Sequence, residues 1–367
     1  MISLLETLAN FWLFIANVLL FLAIAGFLIP KRIKKEKIEP DVSVIIAVWN
    51  EGERVKRTLK SIFKQNYPRR KFEVIVSGGG DDNTAEICSE YQRRGMIKYI
   101  FEKKRMGKWY ALQKALKRTK YEYIAFIDAD CIAEKNWLRK LTSEIGSYDL
   151  IISRANSVAS KTTMRKTFSV FYPFFDYFGD NLYKFFAIPS FFGFGSLMKK
   201  RVLKDVQFKK SIVEDWRFLF DMIRKKYTFI RSNDAFVYHH IPKTPNDFRK
   251  GILRVFEGFI HETIPQGDWF ALLFLFLLLT TVVGVLPTIY LLISGNCLTI
   301  FTVAVSFLQF ILFSIIVSAK EKNSSILLST LIFIPSYLFF AIIGAESLLR
   351  NLIGKKVGWP LYEKLGR

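Results

Sequence analysis

Hydrophobic positions fall into two kinds of pattern along the 367 residues. Four uncharged apolar runs, Phe11 to Ile29, Trp269 to Ile293, Cys297 to Ala319 and Ile326 to Ala345, predict membrane-spanning helices. Each is long enough to cross about 30 Å of hydrocarbon. From Asp41 to about Asp234, short apolar runs alternate instead with amphipathic segments. That is the pattern of strands crossing over through helices in a mostly parallel sheet. Val42 to Val48 predicts the first strand, and Val55, Leu59, Ile62 and Phe63 come next at helical spacing. Phe72 to Val76 predicts a second strand, and Thr84 is placed to cap a helix running to Arg94. Ile97 to Phe101 and Tyr123 to Ile127 flank a further helix in which Trp109, Leu112, Ala115 and Leu116 share a face.

Composition agrees with membrane segments, since 51% of residues are hydrophobic. Ala23-Ile24-Ala25 mimics a signal-peptide cleavage site, yet Met1 to Asn10 carries no basic residue and the apolar run continues past it, so a retained anchor is expected. The basic cluster Lys31 to Lys37 places the α/β segment from Asp41 onward on the cytoplasmic side of the cell membrane by the positive-inside rule. A net charge of +22 comes without any zinc-finger, RNP or basic-zipper pattern, so membrane headgroups rather than nucleic acid are the expected partner. Cys88, Cys131 and Cys297 are scattered and indicate neither a disulfide framework nor a cysteine metal site.

Two other segments are expected at the membrane surface. Phe168 to Phe186 has an aromatic residue at ten positions. A helix around Arg249, Lys250 and Arg254 has a basic side opposite Ile252, Val255, Phe256 and Phe259. Four spans place the basic tail, Arg350 to Arg367, outside, against the same rule. The run Ile326 to Ala345, with Ser329, Pro335 and Ser336, is therefore the one expected not to cross, or the tail to lie along a surface.

Ligands of parallel α/β sheets bind beyond the carboxyl ends of the strands. Three such ends stand out: Asn50-Glu51, the run VSGGGDDNT from Val76 to Thr84, and Asp128-Ala129-Asp130. The glycine run fits neither GxxxxGK[ST] nor GxGxxG and is not a phosphate cradle of those types. Two aspartates one residue apart at a strand end can turn toward one hard cation, although an isolated copy also occurs as a solvated turn. His239 and His240 stand beside Pro242, where packing in a loop is the plain reading. Glu214-Asp215 opens a predicted helix over Trp216 to Ile223, where acids are common as dipole caps and are equally placed to act as a base.

Four ordered stretches carry a resemblance: VSVIIAVWNEGERVKRTLKSIFKQNYP (42 to 68), MGKWYALQKAL (106 to 116), FIDADCI (126 to 132) and VEDWRF (213 to 218). Together, over residues 42 to about 260, they resemble membrane-bound family-2 glycosyltransferases, the group that includes cellulose-synthase-like enzymes. The resemblance implies a GT-A fold, Rossmann-like and cytoplasmic, joined to an α-helical transmembrane domain with interface helices. It also implies a GDP- or UDP-sugar donor, a divalent cation (Mn²⁺ or Mg²⁺) and inversion at the anomeric carbon.

By the same resemblance Asp128 and Asp130 hold the metal, with His239 as a further ligand. Val48, Asn50, Glu51, Ser77, Gly78, Asp82, Lys108 and Asp128 form the donor site. Asp215 is the base beside Glu214, and Phe192, Gly193 and Trp216 lie toward the acceptor. Of the Gln/Arg-x-x-Arg-Trp motif that embraces the diphosphate in processive members, only Arg254 matches, which points to transfer of a single sugar. Ser77 and Gly78 stand where the family has two acids, one of which binds the nucleobase. Asp81 or Asp82 must then swing in, or the backbone of Ser77 to Gly80 must read the base.

The expected organisation is an anchor and basic linker over 1–37, a catalytic domain over 38–237, an interface region over 238–267, membrane helices over 268–349 and a basic tail over 350–367. The expected activity moves mannose, glucose or GlcNAc to a lipid or lipid-linked glycan, or to a polyprenyl phosphate. The opposing class is a transporter or scaffold with a degenerate domain. Against it, the four apolar runs hold none of the charged groups that transport pathways place at depth.

Overall fold

The structure is a computed structural model. It describes residues 2–30, 33–157, 171–186, 195–240, 244–258, 260, 269–327, 342–350 and 353. The chain divides into two compact units: one comprises Met1–Pro30, Ala159–Ile188 and Pro242–Leu365, the other chiefly Lys31–Val158 and Pro189–Ile241.

The first unit is helical. Helix α1 (Ile2–Ala25) and the helices Phe171–Phe186, Pro245–Gly258, Trp269–Ile293 and Cys297–Glu321 account for most of its described residues. Among the described residues, Leu4–Leu28 and Cys297–Glu321 are long and apolar enough to cross a membrane. Most of the predicted run Ile326 to Ala345 lies outside the described residues.

Small side chains let these helices approach closely. A Cβ on Gly284 would lie 2.5 Å from Trp12, and one on Gly26 would lie 2.5 Å from Asn181, whose amide donates to Ala23 O. The aromatic run predicted to lie against headgroups has a packing role as well. Phe174, Tyr177 and Phe178 rest on a cluster that includes Leu20, Phe310 and Phe313. The basic side predicted for Pro245–Gly258 is likewise engaged within the protein, because Arg249 ion-pairs with Glu346, which Arg350 shares. Its buried apolar residues are Phe248 and Leu253, while Ile252, Val255 and Phe256 are half-buried and Phe259 lies outside the described residues.

The second unit is built on an eight-stranded sheet of order β3-β2-β1-β4-β7-β6-β8-β5. Its elements in chain order are β1 (Val42–Trp49), α2 (Glu53–Phe63), β2 (Phe72–Gly79), α3 (Thr84–Arg93), β3 (Lys98–Phe101), α4 (Lys108–Leu116), β4 (Tyr123–Ile127), β5 (Ile132–Ala133), α5 (Trp137–Glu144), β6 (Leu150–Ser157), β7 (Gly195–Lys199), the helix Glu214–Arg224 and β8 (Phe229–His239). The first four strands by sequence pair in parallel, as predicted. The sheet is mostly parallel as expected, with β6 and β8 also pairing in parallel, while β7 runs antiparallel between β4 and β6 and β5 antiparallel to β8.

Alternation along β1 explains the layers. Val42, Val44, Ile46 and Val48 enter the core with Leu59 and Ile62, while Ile45 and Ala47 line the opposite face. The glycine run, expected to lie beyond the strand, forms its last two positions: Val48 pairs with Gly78 and Trp49 with Gly79. Gly78 has φ 134°, and a Cβ there would meet Val48 O at 1.9 Å, so only glycine lets β2 approach β1 at this edge.

Candidate active site

Parallel pairing of β1 with β2 and β4 brings Asn50, Ser77 and Asp128 to one edge of the sheet. Asn50, at φ 56°, binds the glycine run back to β1: its N–H donates to Gly79 O at 3.2 Å, and its side-chain oxygen accepts from Asp81 N at 2.7 Å. Thr84 does not cap α3 as expected; Asn83 occupies the cap position. The Thr84 hydroxyl instead accepts the N–H groups of Glu51 and Gly52, each at 2.7 Å, while Asp82 accepts Thr84 N at 3.0 Å. Asn50, Asp82 and Thr84 thereby fix the turn that carries Glu51.

The Asp128-Ala129-Asp130 turn is held from behind by α2. The Thr58 hydroxyl lies 2.7 Å from both Ala129 O and Cys131 O and donates to one at a time. In front of the turn, Lys108 at the start of α4 places Nζ 2.7 Å from Asp128 and 3.3 Å from Glu214. One cleft is lined by Ile45, Ala47, Lys108, Leu112, Phe126, Asp128, Ser196, Phe208, Glu214 and Asp215. Three widely spaced motifs thus meet around one opening. Asp215 Oδ1 accepts Trp216 N at 2.9 Å, and the Trp216 ring packs 6.1 Å from Phe220.

Charge in the cleft is set by its acids. Burial opposes the Lys108 ammonium, but Asp128, Glu214 and Asp215 overcome this and hold it above the usual lysine range. Burial drives Asp128 up to about 7 against the pull of Lys108, with Asp130 adding to the rise. Burial and Asp130 push Glu51 up to about 8, with Arg54 opposing. Glu51 Oε2 is buried without a hydrogen-bond partner, and Arg54 Nη1 is 3.3 Å away.

Antiparallel pairing of β5 with β8 (Ile132 with Tyr238) delivers His239 near this turn, a proximity that sequence spacing does not reveal. Burial lowers His239 to about 4 although Asp130 opposes it, so its imidazole is neutral. Potential ligand atoms of Asp128, Asp130 and Cys131 lie within 4.8 Å of one another, and His239 is not in that group. Cys131, set aside as a ligand in the sequence, is buried there with its thiol 3.7 Å from Asp130. The two carboxylates of Asp128 and Asp130, gathered at one turn, form a donor pair that fits a hard divalent cation.

Other predicted positions fall elsewhere. The Val48 side chain lies in the core and offers only backbone at the edge. Phe192 and Gly193 lie outside the described residues. Arg254 is on Pro245–Gly258 in the helical unit. Glu102 was missed, although the rule that selected the other strand ends reaches it: it directly succeeds β3, and its carboxylate lies 3.4 Å from the Ser77 hydroxyl.

If the cation displaces a proton from Asp128, Mn²⁺ affinity is expected to fall as pH drops below about 7. The change should be roughly tenfold per pH unit for each proton displaced. Calorimetric titrations at several pH values check this, and a flat profile contradicts it.

A mostly parallel α/β sheet with acidic and basic groups gathered at its carboxyl edge is a nucleotide-binding kind of architecture. Residues 43–207 match the family described as Glycosyl transferase family 2, and this segment is a domain of that family. Its fold is GT-A-like: a mannosyltransferase from Pyrobaculum calidifontis, solved in complex with GDP-Man and Mn²⁺, superposes with TM-score 0.64 at 17% identity over 96% of this chain and 100% of that one. Glycosyltransferase AglE of Haloferax volcanii is 32% identical over 108 residues, 29% of this chain and 36% of that protein. A poly-beta-1,6-N-acetyl-D-glucosamine synthase of Staphylococcus epidermidis is 34% identical over 93 residues, 25% of this chain and 22% of that protein. The chain therefore spans little more than a third, at most, of these two relatives' lengths.

Proposed function

We propose that this chain is an inverting glycosyltransferase. It moves one sugar from a nucleotide-sugar donor to a hydroxyl of a lipid or lipid-linked glycan at the cytoplasmic face of a membrane. The observation that carries this reading is the convergence of Lys108, Asp128, Glu214 and Asp215 on one cleft. GDP-mannose is the first donor to test, because the structural neighbour is described in complex with GDP-Man and Mn²⁺.

Asp128 and Asp130 would hold the cation, which when bound neutralises charge on the departing diphosphate. Lys108, released from Asp128 and Glu214, binds donor phosphate oxygens and lowers the cost of the charge that builds there. Asp215 accepts the proton of the attacking hydroxyl, and until the donor arrives the buried Glu214 beside it keeps Lys108 directed into the cleft. The helices Leu4–Leu28 and Cys297–Glu321 support placing this chemistry at a membrane.

Thermal shifts of detergent-purified protein with Mn²⁺ against GDP, UDP and dTDP, then turnover of the matching sugar nucleotides on lipid acceptors, test the reading. Stabilisation by at least one diphosphate together with sugar transfer is expected. Absence of both, across all three, removes it.

A further inference from the structure

We propose that Glu102 reads the nucleobase of the donor, doing from β3 what an acid at position 77 would do from β2. This rests on the nucleotide-sugar reading above and specifies which bases that site takes.

β2 and β3 run parallel and in register, Ser77 opposite Ile100 and Gly78 opposite Phe101, so both strands end at the edge where Asp128 lies. Glu102 continues β3 by one residue, and its N–H donates to Gly78 O at 2.9 Å. A Cβ on Gly79 would come within 2.4 Å of Glu102 O, so the glycine permits this approach. The Ser77 hydroxyl then donates to Glu102 Oε1 at 3.4 Å, with Ser77 0% and Glu102 5% exposed. Lys114 of α4 stands 4.0 Å from the same oxygen. No described residue hydrogen-bonds Oε2. A nearly buried carboxylate, held through one oxygen by Ser77 with Lys114 nearby, therefore sits at the ligand-binding edge of the sheet, under the helix whose first residue, Lys108, reaches Asp128.

Carboxylates accept hydrogen bonds and repel acceptors. Guanine offers N1–H with an adjacent amino group, and uracil offers N3–H. Adenine and cytosine present a ring-nitrogen acceptor at the corresponding place. Glu102 therefore selects a guanine or uracil nucleotide and rejects adenine and cytosine. Lys114 and Ser77 keep the carboxylate in place for this contact, which makes them positioning residues.

Dissociation constants of GDP, UDP, ADP and CDP for the full chain in detergent with Mn²⁺ provide the test. The wild type should favour GDP or UDP over ADP and CDP by at least about tenfold. Glu102→Gln should reduce that preference to within about threefold while leaving Mn²⁺ affinity unchanged. Ser77→Asp added to Glu102→Gln should restore the preference by returning a carboxylate to the same place, and it keeps the test decisive if the single variant is unstable. A purely structural Glu102 would change stability or all four affinities together, so an unchanged preference in Glu102→Gln overturns the assignment and leaves the functional reading intact. Failure of the wild type to bind any of the four overturns the assignment, and failure to bind dTDP as well removes the functional reading with it.

Discussion

Replacing Asp128 and Asp130 together by alanine is expected to abolish Mn²⁺-dependent nucleotide binding and to lower sugar transfer by about 10³-fold or more. That corresponds to roughly 4 kcal/mol, in line with the several kcal/mol that metal stabilisation of a leaving diphosphate contributes. The turn should survive the change, because Thr58 holds it through the carbonyls of Ala129 and Cys131 rather than through either carboxylate. Lys108 retains Glu214 as a partner. Thermal denaturation without ligand should therefore move little, while the shift produced by Mn²⁺ with nucleotide disappears. Transfer at the wild-type rate by a folded double variant would end the assignment of these two residues to the metal.

The second large effect belongs to Asp215→Asn. A general base contributes about 10² to 10⁴ in rate, so turnover on a hydroxyl acceptor should fall by that factor while donor affinity stays near wild type. Asparagine still presents an oxygen to Trp216 N, which preserves the first turn of its helix. The acceptor class decides how the loss is read. A phosphate acceptor is already ionised and needs no base, so activity on a polyprenyl phosphate should be spared. Equal rates of variant and wild type on a hydroxyl acceptor would show that the proton leaves by another route.

The first half of the sheet was legible because its strands are continuous apolar runs bounded by polar residues, as Val42 to Val48 and Tyr123 to Ile127 show. The end of β2 was misread because glycines signal loops in a sequence, whereas here the absence of side chains is what lets Gly78 and Gly79 join the ladder. Thr84 looked like a cap from its own helix. Its real partners, Glu51 and Gly52, are more than thirty residues away and appear only once β1 and β2 are paired. His239 reached the neighbourhood of Asp130 through a two-residue strand, β5, too short to produce any hydrophobic pattern. Glu102 was hidden differently: it lies among Lys103, Lys104 and Arg105, so that its charge looks like part of a solvated run, yet it is 5% exposed.

The bridge that Lys108 makes between Asp128 and Glu214 has a consequence for how any anion enters the cleft. The lysine's charge is already spoken for, so an arriving diphosphate trades places with two carboxylates instead of filling a vacant positive site. Such an exchange nearly conserves the number of ion pairs. Occupancy is then governed by competition between anions for one cation and depends little on long-range attraction, so raising ionic strength should slow encounter more than it weakens the bound state.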